Sequence, residues 1–393
     1  MITKHQLTQQ RSIVGTYANR GITIIRGEGN TLIDTDGNTY IDMMSNYGAS
    51  TLGYGRASIS QQLSQQIDTL MLLHGSFNND QRSEATQELL LALGTKNYSH
   101  IYWSNSGSEA IEAALKFATL TTNKHTFLAA HNGYHGKTFG ALSATSSNDG
   151  KYQSQFKNML LDFEFFEYND MDSFKNALNN NISAVLLEPI QGEGGIIKGE
   201  KSFLREVAKL CKQNEILLIF DEIQTGCGRT GTFLASEGIE ADIVCLAKGL
   251  GAGIPVGATI VTSEIATKIP RGIHTSTFGG NPLAMAGVRA MLSYLDNNSI
   301  LEHVQEVSRV MENELKKLQI EFPHHIVSIS QSGLMIGIEF AYDPMPILKS
   351  LQDNFILAAP ASKNRMRFLP PLTITEEELL QACEILHSIL LSK

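Results

Sequence analysis

Residues His131 to Thr138 read HNGYHGKT, and Leu217 to Glu222 read LLIFDE. The first ends as a nucleotide-binding P-loop ends. The second, an apolar run closing on two carboxylates, has the form of a Walker B segment. Together they raise phosphoryl transfer from ATP, so a P-loop ATPase is the first reading to test. A P-loop needs a glycine five residues before the one that precedes its lysine, so that successive backbone N–H groups wrap the phosphates. His131 stands at that position, which argues against the ATPase. Gly226 to Gly231 (GCGRTG) is a formal dinucleotide fingerprint after an apolar run, but TGTFLASEG around and beyond it carries few helix signals. The fingerprint must open a helix, and an ordinary glycine-rich loop explains the match equally well.

Other residues converge on a different phosphate. Ser104 to Ala110 (SNSGSEA) precede a helical pattern, where small residues let backbone N–H groups at a helix N-terminus approach an anion. The same residues serve equally as plain helix caps. Asp221 ends a strand and reads either as a solvated turn carboxylate or as a fixed anion holding a proton on a heterocyclic nitrogen. Gln224, three residues on, is able to donate to an oxygen. Lys248 follows the apolar run IVCLA. A lysine there is either a snorkelling surface residue or a desolvated amine of lowered pKa, and the second is what imine chemistry requires. A phosphate site, an aspartate, a glutamine and a strand-end lysine together fit pyridoxal 5'-phosphate.

The elements that would position these residues are legible. Thr126–Ala130, Ile182–Leu187, Ile216–Phe220, Ile243–Leu246 and Ala258–Val261 read as strands buried on both faces. Ser108–Thr121 and Lys201–Asn214 carry apolar residues at helical spacing. This alternation predicts an α/β fold, a mostly parallel sheet covered by helices, with ligands at the carboxyl ends of its strands. Residues 20–42 alternate polar and apolar around an Asp-Gly turn, which predicts a small antiparallel sheet. From Pro282 onward come two long helical patterns, short strand-like runs and a last helix opening on Thr375 and Glu378 at capping-box spacing. The expected division is a large domain over 47–283 and a smaller α+β domain built from 1–46 and 284–393.

Composition bounds the function. The chain has 393 residues, 42% hydrophobic and 18% charged, with a net charge of -9. That acidity disfavours nucleic-acid partners, which need clustered Lys and Arg. Four scattered cysteines form no C-x-x-C pair, which argues against both a zinc site and a disulfide framework and suits a reducing compartment; no metal site is expected. The first residues lack a signal-peptide core and no apolar run approaches bilayer length. A cytoplasmic protein without a membrane partner is expected.

In order along the chain, DTDGNTYID, NSGSEA, GYHGKTFGALSAT, LLEPIQGEGG, LLIFDEIQTGCGRTG, DIVCLAKGLGAGIPVGA, HTSTFGGNPLAMA and RFLPPLTITEEE resemble the motifs of class III (ω-)aminotransferases of pyridoxal-phosphate fold type I. The resemblance runs from residue 34 to 378. It implies that Lys248 forms the Schiff base with the cofactor and carries the proton, and that Asp221 holds the pyridinium proton. It further implies that Ile223 packs on the ring, Tyr134 stacks on its other face and Gln224 bonds the phenolic oxygen. Gly107 and Ser108 would bind the phosphate, joined by Thr277 from the neighbouring subunit, which implies a homodimer. Arg367 would take the α-carboxylate of glutamate or 2-oxoglutarate, and Glu193 would occupy that arginine when a cationic substrate is bound. Ser276 and Tyr47 match positions near the substrate.

Length and motifs look most like acetylornithine aminotransferases and the lysine-pathway enzymes that act on a carrier-bound semialdehyde. Those enzymes carry arginine where this chain has Lys137, and a point charge does not replace a bidentate fork. Putrescine-type diamine aminotransferases carry HGK but are longer at the N-terminus. The expected reaction moves an amino group from N-acetylornithine, or a similar ω-amino compound, to 2-oxoglutarate. Diamine, ornithine and 4-aminobutyrate donors stay open, and the exchange at Lys137 reads either as drift or as a changed substrate. The pair Arg367 and Glu193 favours an external keto-acid acceptor over aminomutase or decarboxylase chemistry.

Overall fold

The structure, a computed structural model, describes residues 4–393. At its centre lie seven strands: β1 (Tyr98–Ser104), β2 (Thr126–Ala130), β3 (Phe163–Phe166), β4 (Ile182–Leu187), β5 (Leu217–Asp221), β6 (Ile243–Leu246) and β7 (Gly257–Thr262). They lie in the order β1-β7-β6-β5-β4-β2-β3. The pairs from β6 through to β3 are parallel, and β7 is antiparallel to both its neighbours. Every residue of β4 and β6 is buried, because helices cover both faces. The sheet is therefore the α/β arrangement expected.

Two of its strands are not among the runs picked out by sequence. β1 (YSHIYWS) and β3 (FEFF) are the two edges of the sheet. Edge strands tolerate polar residues, so their patterns lack the continuous apolar signal of the interior.

Helix α1 (Gly107–Thr122) packs an alanine-rich face, including Ala110, Ala113, Ala114 and Ala118, against β6 and β7. Helix α2 (Lys201–Gln213) buries Phe203, Leu204, Val207 and Cys211 on one stripe, the spacing of an amphipathic helix. The remaining sheets draw on both ends of the chain. Strands Ile24–Glu28, Thr31–Asp34 and Thr39–Asp42 form the antiparallel sheet around the Asp-Gly turn, where Asp34 accepts the backbone N–H of Asp36 and Asn38 at 2.9 Å each. That sheet is completed by Ile356–Leu357 from the other end of the chain. Helices α3 (Pro282–Asn297) and α4 (Ile300–Glu321) lead to a second small sheet that includes Met335–Phe340 and Arg365–Phe368, and then to α5 (Glu376–Leu391). Among the described residues, no helix is long and apolar enough to cross a membrane.

The start of α5 is a capping box. The Thr375 hydroxyl accepts the Glu378 N–H, and the Glu378 carboxylate accepts the Thr375 N–H at 2.9 Å. The same carboxylate oxygen accepts from Asn30 Nδ2 at 2.8 Å, so it also ties the last helix to the first sheet. Thr375→Ala should cost about 1 kcal/mol of stability. Glu378→Ala should cost more, because Asn30 Nδ2 also loses one of its two acceptors, keeping only the Thr373 carbonyl. Urea-unfolding midpoints of the two variants test the order.

Candidate active site

The carboxyl ends of β2, β4, β5 and β6 open into one cavity of about 640 Å³. Parallel pairing brings this about: Asp221, the last residue of β5, lies beside Cys245 near the end of β6, so the loops beyond them emerge on the same edge. Of the residues singled out in the sequence, Gly107, Ser108, Tyr134, Lys137, Asp221, Ile223, Gln224, Lys248, Glu193 and Tyr47 line this cavity.

Gly107 and Ser108 open α1, whose N-cap Ser106 accepts the Glu109 N–H. The opening is tight: a Cβ on Gly107 would meet the Ile223 side chain at 2.9 Å, and one on Gly136 would strike the Ser108 hydroxyl. Ser106, Gly107 and Ser108 of this first turn line the cavity, where the helix dipole favours an anion.

Asp221 is buried and held from two sides. Its Oδ1 accepts the Ile223 N–H at 3.0 Å, and its Oδ2 lies 2.8 Å from His135 Nδ1. Burial alone would lower the His135 pKa; the hydrogen bond and charge of Asp221 outweigh it, and the net shift is upward. Lys248 lines the cavity at the end of β6 in a left-handed backbone conformation, φ 44°, a region that side chains other than glycine's seldom occupy. Enclosure by protein pulls its amine down to about 8, against the opposing charge of Asp221.

The second carboxylate of LLIFDE has another task. Glu222 is fully buried and turned from the cavity, accepting the N–H groups of Ala235 and Ser236 at 3.1 and 2.7 Å and the Thr225 hydroxyl. It anchors the glycine-rich loop and is not placed to hold a metal on a nucleotide.

Arg367 lies on Arg365–Phe368 and is 1% exposed. It sits behind Glu193, whose Oε2 accepts its Nη2 at 2.7 Å. Its Nε and Nη2 also reach the Pro360 carbonyl, while its Nη1 is buried without a partner. Tyr47 covers the guanidinium, 5.5 Å from ring centroid to Cζ. Its carbonyl accepts Gln224 Nε2 at 3.1 Å, and the Gln224 Oε1 is buried and unpaired. Ser45, Asn46 and Tyr47 are three successive left-handed residues, with φ 38°, 51° and 57°. Ser276 and Thr277 do not line the cavity within one chain. Ser276 accepts Asn105 Nδ2 at 3.1 Å, and Thr277 is exposed.

The model of the family described as aminotransferase class-III matches residues 15–390. The chain belongs to the class III aminotransferases. It is 39% identical to the acetylornithine aminotransferase of Bacillus cereus over 384 residues, 96% of this chain and 97% of that one. The [LysW]-aminoadipate semialdehyde/glutamate semialdehyde transaminase of Sulfurisphaera tokodaii is 36% identical over 93% of this chain and 94% of its own. The ornithine aminotransferase of Toxoplasma gondii, solved with pyridoxal phosphate at partial occupancy in its active site, superposes with a TM-score of 0.92. It shares 30% identity over all of this chain and 95% of its own. This aminotransferase is therefore a pyridoxal-phosphate enzyme that works between an amino donor and a keto acid. Its cavity fits that cofactor: a cramped helix N-terminus for a phosphate, an enclosed amine and a carboxylate fixed by histidine.

Sequence reasoning passed over His135, Glu188 and Tyr152. Glu188 follows the fully buried, largely apolar β4 much as Asp221 ends β5, so the signal that singled out Asp221 was present there too. Its oxygens accept the Tyr134 and Gly192 N–H groups at 2.9 and 3.0 Å, and burial raises its pKa to about 7. Nothing in the sequence pairs His135 with a residue 86 positions on. The lowered Lys248 amine gives a direct test. Reductive trapping of the apoprotein with pyridoxal phosphate should rise with pH around a midpoint near 8. An ordinary lysine would give roughly 10.4.

Proposed function

We propose that this enzyme moves the terminal amino group of N-acetylornithine, or of a closely similar ω-amino compound, to 2-oxoglutarate, giving a semialdehyde and glutamate. The observation that carries the acceptor side is the enclosed Arg367, with one nitrogen on Glu193 and another buried and unpaired. A buried guanidinium in that state suits a carboxylate able to displace Glu193 and fork onto both nitrogens. The donor is supported by the relatives whose names carry acetylornithine and semialdehyde substrates.

When bound, pyridoxal phosphate supplies an aldehyde for amines and a ring that accepts the electron pair left when a proton departs. Gly107 and Ser108 would hold its phosphate at the start of α1, and Ile223 and Tyr134 would flank its ring. Asp221, fixed by His135, would keep the ring nitrogen protonated. Gln224 would face the phenolic oxygen. The Lys248 amine, lowered to about 8 and therefore neutral in a far larger fraction near pH 7 than an ordinary lysine, would take the proton from the donor's terminal carbon and return it to the cofactor. A placed proton shuttle of this kind contributes roughly 10²–10⁴-fold. Glu193 covers Arg367 while the donor reacts and yields it to the acceptor.

Thr277 would complete the phosphate site of a second copy. The surface around it supports a homodimer: Phe278 and Ile273 beside it are exposed, as are Met71 and Phe77. These are linked through Arg82, which donates to the Gly280 and Phe77 carbonyls. Ser276 would stand near the substrate in the same arrangement, and the enzyme would work in the cytoplasm.

One observation favours a second reading, a diamine donor. Lys137 stands where acetylornithine enzymes carry arginine, and its ammonium lies 4.3 Å from the centre of the Tyr152 ring. A donor panel with 2-oxoglutarate separates the readings: acetylornithine should lead ornithine, lysine, 4-aminobutyrate and putrescine. A putrescine preference that Lys137→Arg reverses would establish the diamine reading instead. Lys248→Ala should bind donor yet lose turnover by at least the roughly 10²-fold of its proton shuttle. Normal turnover in that variant contradicts the role given to Lys248.

A further inference from the structure

Tyr152 touches both charged groups that face the substrate. It lies in the turn-rich stretch after Asn148 and is half-buried. Its hydroxyl accepts from Asn148 Nδ2 at 2.9 Å and donates toward Glu193 Oε1 at 3.5 Å. Its ring face carries the Lys137 ammonium, 4.3 Å from the centroid, and Tyr134 meets the ring edge-on at 6.0 Å. The other Glu193 oxygen is the one on Arg367. The Glu193 backbone is pinned separately: its carbonyl accepts the Ser362 hydroxyl at 2.9 Å and the Ser362 N–H at 3.2 Å. Ser362 in turn reaches Asn148 Oδ1. The main chain at 193 is thus fixed, and its carboxylate alone is left to move.

We infer that Tyr152 is a specificity-determining residue of the acceptor site: its hydroxyl holds Glu193 over Arg367, and its ring keeps Lys137 from drawing Glu193 away. This rests on the reading of Arg367 as the acceptor-carboxylate site.

One carboxylate, that of Glu193, is contested. Glu193 is held by Arg367 and by the Tyr152 hydroxyl, and Lys137, seated closest on the Tyr152 ring and farther from that of Tyr134, is the remaining cation of the cluster. With the ammonium on a π face, which satisfies a cation without a counter-anion, Glu193 stays on Arg367. The apparent affinity of an incoming carboxylate is then its intrinsic affinity reduced by the fraction of molecules in which Arg367 is uncovered. Any change that loosens Glu193 raises that fraction and tightens carboxylate binding.

Tyr152→Phe keeps the ring and removes the hydroxyl; Tyr152→Leu removes both. The probe is glutarate, a dicarboxylate without a reactive keto group, titrated into the pyridoxal-phosphate-loaded enzyme by calorimetry. Tyr152→Phe should tighten glutarate by roughly three- to ten-fold, the range expected for one long hydrogen bond to a charged acceptor. It should lower KM for 2-oxoglutarate by a similar factor. Tyr152→Leu should tighten glutarate further, and adding Lys137→Met to it should return the affinity to the Tyr152→Phe level. A gain of affinity is not something a damaged fold produces. Unchanged or weaker glutarate binding in Tyr152→Phe overturns the inference. Arg367→Gln, run alongside, keeps the two claims apart. If it leaves glutarate binding intact, the reading of Arg367 fails. If it abolishes binding while Tyr152→Phe changes nothing, only the role of Tyr152 fails.

Discussion

An amine held out of water at the end of a buried strand is the constraint on which the rest of this structure depends. Lysine in bulk water is protonated and unreactive toward carbonyls; enclosure moves the Lys248 equilibrium down to about 8. Keeping it there takes a backbone that does not relax. Lys248 is left-handed, and Gly249 after it lies so close to Thr51 that a Cβ would strike the threonine side chain. The parallel pairing of β5 with β6 sets Asp221 at the same edge of the sheet. His135, itself buried, holds that carboxylate at 2.8 Å.

Four further charged groups show how burial and hydrogen bonding assign different tasks to similar residues. Glu188 accepts two backbone N–H groups and is raised to about 7 by burial. Glu222 is consumed by the glycine-rich loop. Arg229, fully buried, is lowered to about 9 by desolvation and donates to the Leu334 and Pro370 carbonyls and toward the Ser45 hydroxyl. It thereby joins the left-handed segment bearing Tyr47 to the loop just past Arg367. Arg367 retains an unpaired buried nitrogen with a movable carboxylate as its cover. An unmet donor of that kind costs about 1–3 kcal/mol, a cost expected where a ligand is to be received.

Much of this was readable from the sequence. The interior strands announce themselves as apolar runs, and Thr375 and Glu378 announce the last helix by spacing alone. Lys248 and Asp221 stand out because charged residues at the ends of buried strands need a reason. The edge strands β1 and β3 were lost to their mixed polarity, and β7 gives no sign in its sequence that it runs against its neighbours. What stayed hidden depends on contacts between distant residues. The pairing of His135 with Asp221, the burial of Arg367 behind Glu193 and the seat of Lys137 on Tyr152 have no local pattern. The left-handed run at Ser45–Tyr47 contains no glycine to mark it. The lysine of HGKT, which first suggested a nucleotide, instead lines the cavity over the rings of Tyr134 and Tyr152.

In the proposed reaction the Lys248 amine takes a proton from the donor's terminal carbon, not from its α-carbon. The most direct measurement is the rate of the donor half-reaction, with deuterium placed in turn at each of those two carbons of acetylornithine. A primary isotope effect from the terminal carbon, and none from the α-carbon, is the result this structure predicts. Slowing that comes from the α-carbon and is absent at the terminal carbon contradicts it.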